Sequence, residues 1–209
     1  MSTPSPRPLH ELAREFVRSP TAWIIVPCAV TTTAVRLRRG RLGPGDAAVV
    51  AGMVGGRSAI EWLLHRWVLH LAPITIGSIP RELHPATAHR RHHDSPDDPT
   101  TVPIGPIGTA VLVAGISVAA LPGLPRQDLR LTAATTGFGL VLAYEWTHFL
   151  LHAPFQPRSA WFATVRRHHR RHHHLDATTW FGVTGHGFDR LIGTTSRPPA
   201  TGDQSRSTS

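Results

Sequence analysis

The sequence predicts an all-α integral membrane protein: about four hydrophobic helical segments, arranged as two hairpins, under a cytoplasmic histidine-rich helical cap. Three observations predict it. Four apolar stretches, Thr21–Val35, Ala47–Leu71, Ile104–Leu121 and Leu131–His152, are separated by charged or proline- and glycine-rich connections. The third stretch carries no charge over 18 residues, which as a helix would measure roughly 27 Å, about one bilayer core. Most of the 15 histidines fall at the ends of the second and fourth stretches and just beyond them.

Taken in order, residues 1–19 form a basic N-terminal segment with three prolines and three arginines. Within it Leu9 to Arg18 could form a short amphipathic helix on a membrane surface or a frayed end. No signal-peptide cleavage pattern is expected there. Residues 20–194 form one membrane domain, and 195–209, mostly Ser, Thr, Pro, Gly and charge, a disordered tail. Arg36–Asp46 joins the first two segments, and Leu121-Pro-Gly-Leu-Pro125 marks a turn between the last two. Glycines 52, 55, 56, 115, 137 and 139 weaken water-soluble helices but suit close packing in lipid. A soluble bundle is the competing reading; the third segment, with no polar face, argues against it.

Both hairpins place their histidine-bearing ends on one side, together with Arg81, Arg90, Arg91, Arg158, Arg166, Arg167, Arg170, Arg171, Arg190 and Arg197. The positive-inside rule makes that side cytoplasmic, facing the interior of what is expected to be a bacterial cell. Arg36, Arg38, Arg39 and Arg41 disagree, because they would lie outside. The chain has a formal charge of +9, all 22 of its basic residues being arginine. Phosphate headgroups suit such a surface; nucleic acid does not, because no recognised binding module is present. A single cysteine, Cys28, excludes an intrachain disulfide and a multi-cysteine zinc site, and is read as an apolar helix residue.

The chemistry is concentrated in a duplicated pattern. The second segment ends Glu61-Trp-Leu-Leu-His65-Arg-Trp-Val-Leu-His70, and the fourth ends Glu145-Trp-Thr-His148-Phe-Leu-Leu-His152. Each is followed, after a loop, by His-Arg-Arg-His-His: His89, His92 and His93 first, then His169, His172 and His173. On a helix His148 and His152 share a face, whereas His65 and His70 lie about 140° apart and need a helix end or two metals. In His-x-x-His-His all three rings can converge. Ten imidazoles exceed one tetrahedral zinc and point to two metals. Glu61 and Glu145 are read as carboxylates that orient ligating rings from behind. His10, His84, His168, His174 and His186 fall outside the repeat and are expected at the surface, with His168 a candidate to support the site beside His169.

This order of histidine motifs resembles the fatty acid hydroxylase/sterol desaturase superfamily of integral-membrane di-iron oxygenases. Phe181-Gly-Val-Thr184 and Phe188-Asp-Arg-Leu-Ile-Gly-Thr194 are similar to its closing segment, so the resemblance runs from Ala47 to Thr194. Trp180 stands where the family commonly has asparagine, and Phe188 where it commonly has tryptophan. The resemblance implies ligation of two iron ions (zinc being an ion that purification could leave instead) by His65, His70, His89, His92, His93, His148, His152, His169, His172 and His173. It implies dioxygen as co-substrate and hydroxylation of a lipid C–H bond, with desaturation of a sterol, carotenoid or acyl chain as the alternative on the same site. A non-catalytic histidine-rich metal-binding membrane protein is the second alternative. With no cytochrome b5-like segment in this sequence, electrons are expected from a separate ferredoxin or cytochrome b5-like donor with its reductase.

Overall fold

The computed structural model describes residues 5–119, 124, 126–156 and 158–195. It is all-α apart from one small hairpin. The helices are α1 (Leu9–Phe16), α2 (Pro20–Arg38), α3 (Pro44–Leu64), α4 (His84–Asp94), α5 (Pro106–Ala119), α6 (Gln127–His152), α7 (Ala160–His174) and α8 (Gly187–Ile192). A single π turn, His65–Leu69, continues α3. Two antiparallel strands, β1 (Ile74–Ile76) and β2 (Ile79–Arg81), follow it with Ile76 opposite Ile79. The sequence pattern contained no signal for that hairpin, since three residues are too few for alternation to show.

Each of the four apolar stretches contains a helix. Two helices, Pro20–Arg38 and Pro44–Leu69, are long and apolar enough to cross a membrane. The third is shorter than expected: Gly105 adopts φ 81°, Pro106 opens the helix, and the described helix covers 14 residues, about 21 Å. The fourth is long, but Asp128, Arg130 and Glu145 interrupt its apolar character. The connection at 121–125 falls outside the described residues save Leu124, as does the tail beyond Thr195.

The helices are not clearly divided into two hairpins. α6 is the hub, with α2, α3 and α5 all packed against it, and α2 also against α5. Ile25, Ala134 and Phe138 make the buried contact between α2 and α6. A second core joins Leu12 and Phe16 of α1 to Phe149, Leu150 and Leu151 of α6 and to Phe162 and Val165 of α7. The amphipathic N-terminal helix therefore spends its apolar stripe on protein: Leu12 is fully buried, and the Phe16 ring meets Trp146 at 5.1 Å and Phe149 at 5.8 Å. Burying two such side chains stabilises by roughly 1.5–3 kcal/mol each, enough to fix a two-turn helix that would not hold alone.

One of the four arginines that disagreed with the charge rule has a structural explanation, while Arg38, Arg39 and Arg41 are exposed. Arg36 is buried at the end of α2, where Nη2 donates to Asp46 Oδ2 at 2.7 Å and Nε to Asp46 Oδ1 at 3.0 Å. Nε also donates to Thr132 Oγ1 at 3.0 Å, so one fork ties α2, α3 and α6 together. Asp46 accepts the Gly43 N–H as well, capping α3. A charge so paired contributes little to an exposed cationic surface. Replacing Arg36 by methionine leaves the Asp46 carboxylate without its fork and should lower the thermal midpoint of the detergent-solubilised protein. The same change at exposed Arg38 should leave the midpoint unchanged; equal midpoints for the two variants would contradict this role.

Candidate metal centre

Five elements converge on one end of the bundle: the C-terminal ends of α3 and α6, helices α4 and α7, and the loop between α7 and α8. They bring all ten histidines of the repeat into two groups of five. His65, His70, His89, His93 and His172 form one, and His92, His148, His152, His169 and His173 the other; within each, one nitrogen per ring lies within 4.8 Å of all the rest. The two groups adjoin, with the His93 and His173 rings stacked at 4.2 Å.

One feature of this arrangement supplies the helix end that the sequence reading asked for, and a second departs from that reading. His65 and His70 share one group because α3 ends in a π turn, in which the His70 N–H reaches the His65 carbonyl at 3.1 Å. That i→i+5 closure rotates residues five apart onto one face and brings the rings to 5.0 Å. Nor do the three histidines of His-x-x-His-His converge on one point. The first and last (i, i+4) stay with their own half of the chain, and the middle one crosses: His92 joins the second group and His172 the first. The exchange is reciprocal, and it relates the halves pairwise even in burial. His65 matches His148, both buried; His70 matches His152, both half-buried.

Tautomers follow from the backbone. His65 Nδ1–H donates to the Phe181 carbonyl at 2.6 Å, and His172 Nδ1–H donates to the Thr179 carbonyl at 2.7 Å. Each ring therefore turns a lone pair on Nε2 toward its group, where His65 Nε2 meets His89 Nε2 at 2.9 Å and His172 Nε2 meets His70 Nε2 at 3.1 Å. In the second group His152 and His169 approach to 2.7 Å. His92 Nε2 and both His148 nitrogens are buried without a hydrogen-bond partner among the described residues. Such orphans cost about 1–3 kcal/mol each unless something accepts their lone pairs. Convergent lone pairs and orphaned nitrogens on nitrogen-only donor sets are what divalent transition metals fit, iron and zinc included.

The glutamates act differently from the sequence reading. Neither hydrogen-bonds a histidine. Glu61 accepts the Thr184 N–H at 3.0 Å and pairs with the Thr184 hydroxyl, while Glu145 accepts the Ile104 N–H at 3.1 Å. Each carboxylate thus anchors the loop that follows a histidine helix. Glu61 orients a ring only through the chain, by holding the 181–184 segment whose carbonyl fixes His65.

The same loops hold residues that the motif reading passed over. Buried Asp189 accepts from the Phe181 and Gly182 N–H groups at 2.9 and 2.8 Å and from the Thr194 hydroxyl at 2.7 Å. Asp176 Oδ1 accepts the Thr178 N–H and Asp98 Oδ1 the Thr100 N–H, both at 2.9 Å, closing matched turns. A tetrapeptide repeat, Asp98-Pro-Thr-Thr101 and Asp176-Ala-Thr-Thr179, is the sequence signal that extends the duplication into these loops. Trp180, at the departure from family pattern, has φ 53°, a left-handed conformation that asparagine tolerates better than a bulky ring. Its burial and the Arg171 guanidinium 5.6 Å from its ring offset that strain.

His168 belongs to neither group. It pairs with His186, ring centroids 4.4 Å apart, behind α7. His10, His84 and His174 are exposed. A cavity of about 20 Å³, room for one water-sized molecule, touches both groups through His89, His92 and His148 and is otherwise lined by residues such as Val102, Ile104 and Tyr144. A larger apolar groove of about 610 Å³ lies far from the histidines, along Ala47, Val50 and Val54 of α3.

Burial holds the cap imidazoles neutral, the state that binds metal. It pushes His93 down to about 4 and His172 to about 3, and lowers His89, His169 and His173 well below the ordinary histidine range. The unfolded chain takes up protons near pH 6.5 that the folded chain refuses, so this stability is present above 6.5 and lost as pH falls toward 4. The chelator-treated protein should therefore melt at steadily lower temperature between pH 7 and 4.5, and a flat profile would contradict the buried, neutral state. The crossing of His92 and His172 has a sharper consequence. His65→Ala with His172→Ala should lose about one metal per chain, and His65→Ala with His92→Ala about two, as measured by elemental analysis. Grouping by sequence half predicts the opposite order.

The family model described as fatty acid hydroxylase matches residues 50–194. The dihydroceramide fatty acyl 2-hydroxylase FAH2 of Arabidopsis thaliana is 27% identical over 182 residues, covering 84% of this chain and 71% of that protein. The fatty acid 2-hydroxylase of Homo sapiens is 26% identical over 127 residues, covering 61% of this chain and 34% of its own length. The chain thus spans about a third of the mammalian relatives it matches. The solved structure of full-length scs7p, in which only the hydroxylase domain is visible, superposes with a TM-score of 0.70 at 23% identity, over 87% of this chain and 66% of that one, and shares the fold. With the family match spanning most of its length and all ten repeated histidines gathered at one end of the bundle, the chain belongs to the fatty acid hydroxylase family.

Proposed function

We propose that the chain is an oxygen-dependent di-iron lipid hydroxylase, inserting one oxygen atom into a C–H bond of a membrane lipid or its acyl chain. The observation that carries this reading is the pair of adjoining five-histidine groups, neutral, nitrogen-only and pre-oriented by backbone carbonyls. Two iron ions held by His65, His70, His89, His93 and His172 and by His92, His148, His152, His169 and His173 would supply the reductive activation of dioxygen. The chain's own part is positional. The Phe181 and Thr179 carbonyls hold the protons of His65 and His172 on Nδ1, and Glu61 and Asp189 keep that loop closed over the first group. A preset donor geometry spares the site reorganisation when it is loaded. The names of the relatives support a fatty acyl substrate oxidised next to its carbonyl carbon.

The same reading extends to the membrane. α2 and the continuous α3 and π-turn segment cross it; α5 and α6 form the second pair, the shorter α5 being compensated by its packing on α2 and α6. The histidine cap lies at the cytoplasmic surface, where a lipid can enter from the bilayer and a separate ferredoxin or cytochrome b5-like protein can deliver electrons. The domain proposed runs to Thr194 and takes in α1 ahead of residue 20, because Leu12 and Phe16 pack into its core; a polar tail follows.

Lipid mass spectrometry on a host expressing wild type or His173→Ala tests it. A gain of one oxygen atom on one lipid class, present only with wild type, is the expected result. A loss of two hydrogens would make it a desaturase, and an unchanged product with His173→Ala would refute the ligand assignment.

A further inference from the structure

Arg66 directly follows His65 in the π turn, and the reading above gives it no role. Its guanidinium carbon lies 5.5 Å from the Trp62 ring centre, 5.1 Å from Trp67 and 5.4 Å from Phe181, so aromatic faces flank it on three sides. Among the described residues none accepts a hydrogen bond from it and none forms an ion pair with it. Some other cap arginines are occupied: Arg90 pairs with Glu82, and Arg166 is shared among the carbonyls that end α6. Arg91, Arg170 and Arg190 also lack an acceptor among the described residues but are exposed, and Arg171 faces one ring, Trp180, where Arg66 faces three. Arg66 is half-buried, which leaves a rigid cation with unused donors.

Its surroundings suit a lipid. Exposed Leu63 and Leu64 of α3 and Trp67 of the π turn flank it, and α8, seated against Trp62 through Phe188, adds exposed Leu191 and Ile192. The Phe181 ring beneath the guanidinium also touches His65, His70 and His172 at 5.5–5.6 Å, so one ring separates Arg66 from the first histidine group. The second half of the repeat has Phe149 after His148, where the first has Arg66 after His65. The pseudo-symmetric frame therefore does not require an arginine there.

We propose that Arg66 is the headgroup-binding residue of this site, its guanidinium taking an oxyanion (a carboxylate or a phosphate) on the head of the lipid substrate. This deepens, and rests on, the hydroxylase reading. A lipid held by its head at Arg66 presents its first carbons, not its far end, to the histidines, so the residue sets the position of attack as well as affinity.

Binding is measured on the metal-loaded, detergent-solubilised full chain without reductant, so that no turnover occurs. Tryptophan fluorescence reports titration with a long-chain fatty acid, its methyl ester, and a phosphatidic acid of the same chain length. Wild type should bind the acid more tightly than the ester. Arg66→Gln should weaken the acid by about tenfold or more while leaving the ester unchanged, and Arg66→Lys should recover part of the loss. Dependence on Arg66 seen with phosphatidic acid alone would assign a phosphate head. Equal binding of acid and ester with no Arg66 dependence for any of the three ligands would overturn the proposal. Should Arg66→Gln lose its metal, the acid-to-ester ratio of Arg66→Lys against wild type decides. One-oxygen products from wild type without Arg66-dependent binding would sink this proposal alone; Arg66-dependent binding with no oxidised lipid would sink the hydroxylase reading instead.

Discussion

The structure depends on keeping ten imidazole nitrogens converged and uncharged inside a helical cap. Bringing so many rings together in water would leave them solvated and variably protonated; burial makes the charged form costly and leaves lone pairs as the only polar groups facing inward. That state is unfavourable unless the rings are held and their lone pairs accepted. The surrounding architecture supplies the holding. The π turn puts His65 and His70 on one face, carbonyls of the 179–181 loop set two tautomers, and Asp189 with Glu61 fixes the loop that provides them.

The bundle beneath serves the same end. Because α6 packs against α2, α3 and α5, the helix that carries His148 and His152 is also the one that every other long helix registers on. At its far end Thr132 joins the Arg36–Asp46 pair, so the positions of α2, α3 and α6 along one another are set by a directional contact and not by apolar packing alone. Apolar contacts between smooth helices tolerate sliding; a bidentate fork tolerates little. Register fixed at that end carries through rigid helices to the histidines at the other.

Much of this was legible in the residues. The duplicated Glu-Trp and His-Arg-Arg-His-His strings identified all ten histidines that the structure gathers, and the apolar stretches anticipated α2, α3 and α6 closely. What the sequence could not convey was how halves combine. A helical wheel assumes 3.6 residues per turn, so it left His65 and His70 in need of a helix end or two metals; the chain supplies the former as one π turn. Spacing alone allowed His89, His92 and His93 to converge, yet the middle ring crosses to the other half because its partner cluster lies on the adjoining face. Glu61 and Glu145 were recognised as supporting groups, but the groups that donate to them are loop amides distant in sequence. The packing of Leu12 and Phe16 on α6 likewise depends on a tertiary surface that an amphipathic pattern does not name.

The account is tested most directly by running the reaction under heavy-isotope dioxygen in ordinary water, with the purified chain, a reducing system and membrane lipid. It predicts that the new lipid oxygen carries the heavy isotope, and that the product disappears when either His172 or His92 is replaced by alanine. Light oxygen in the product, or product formation that survives both substitutions, would contradict the claim that two crossed histidine groups form one oxygen-using centre.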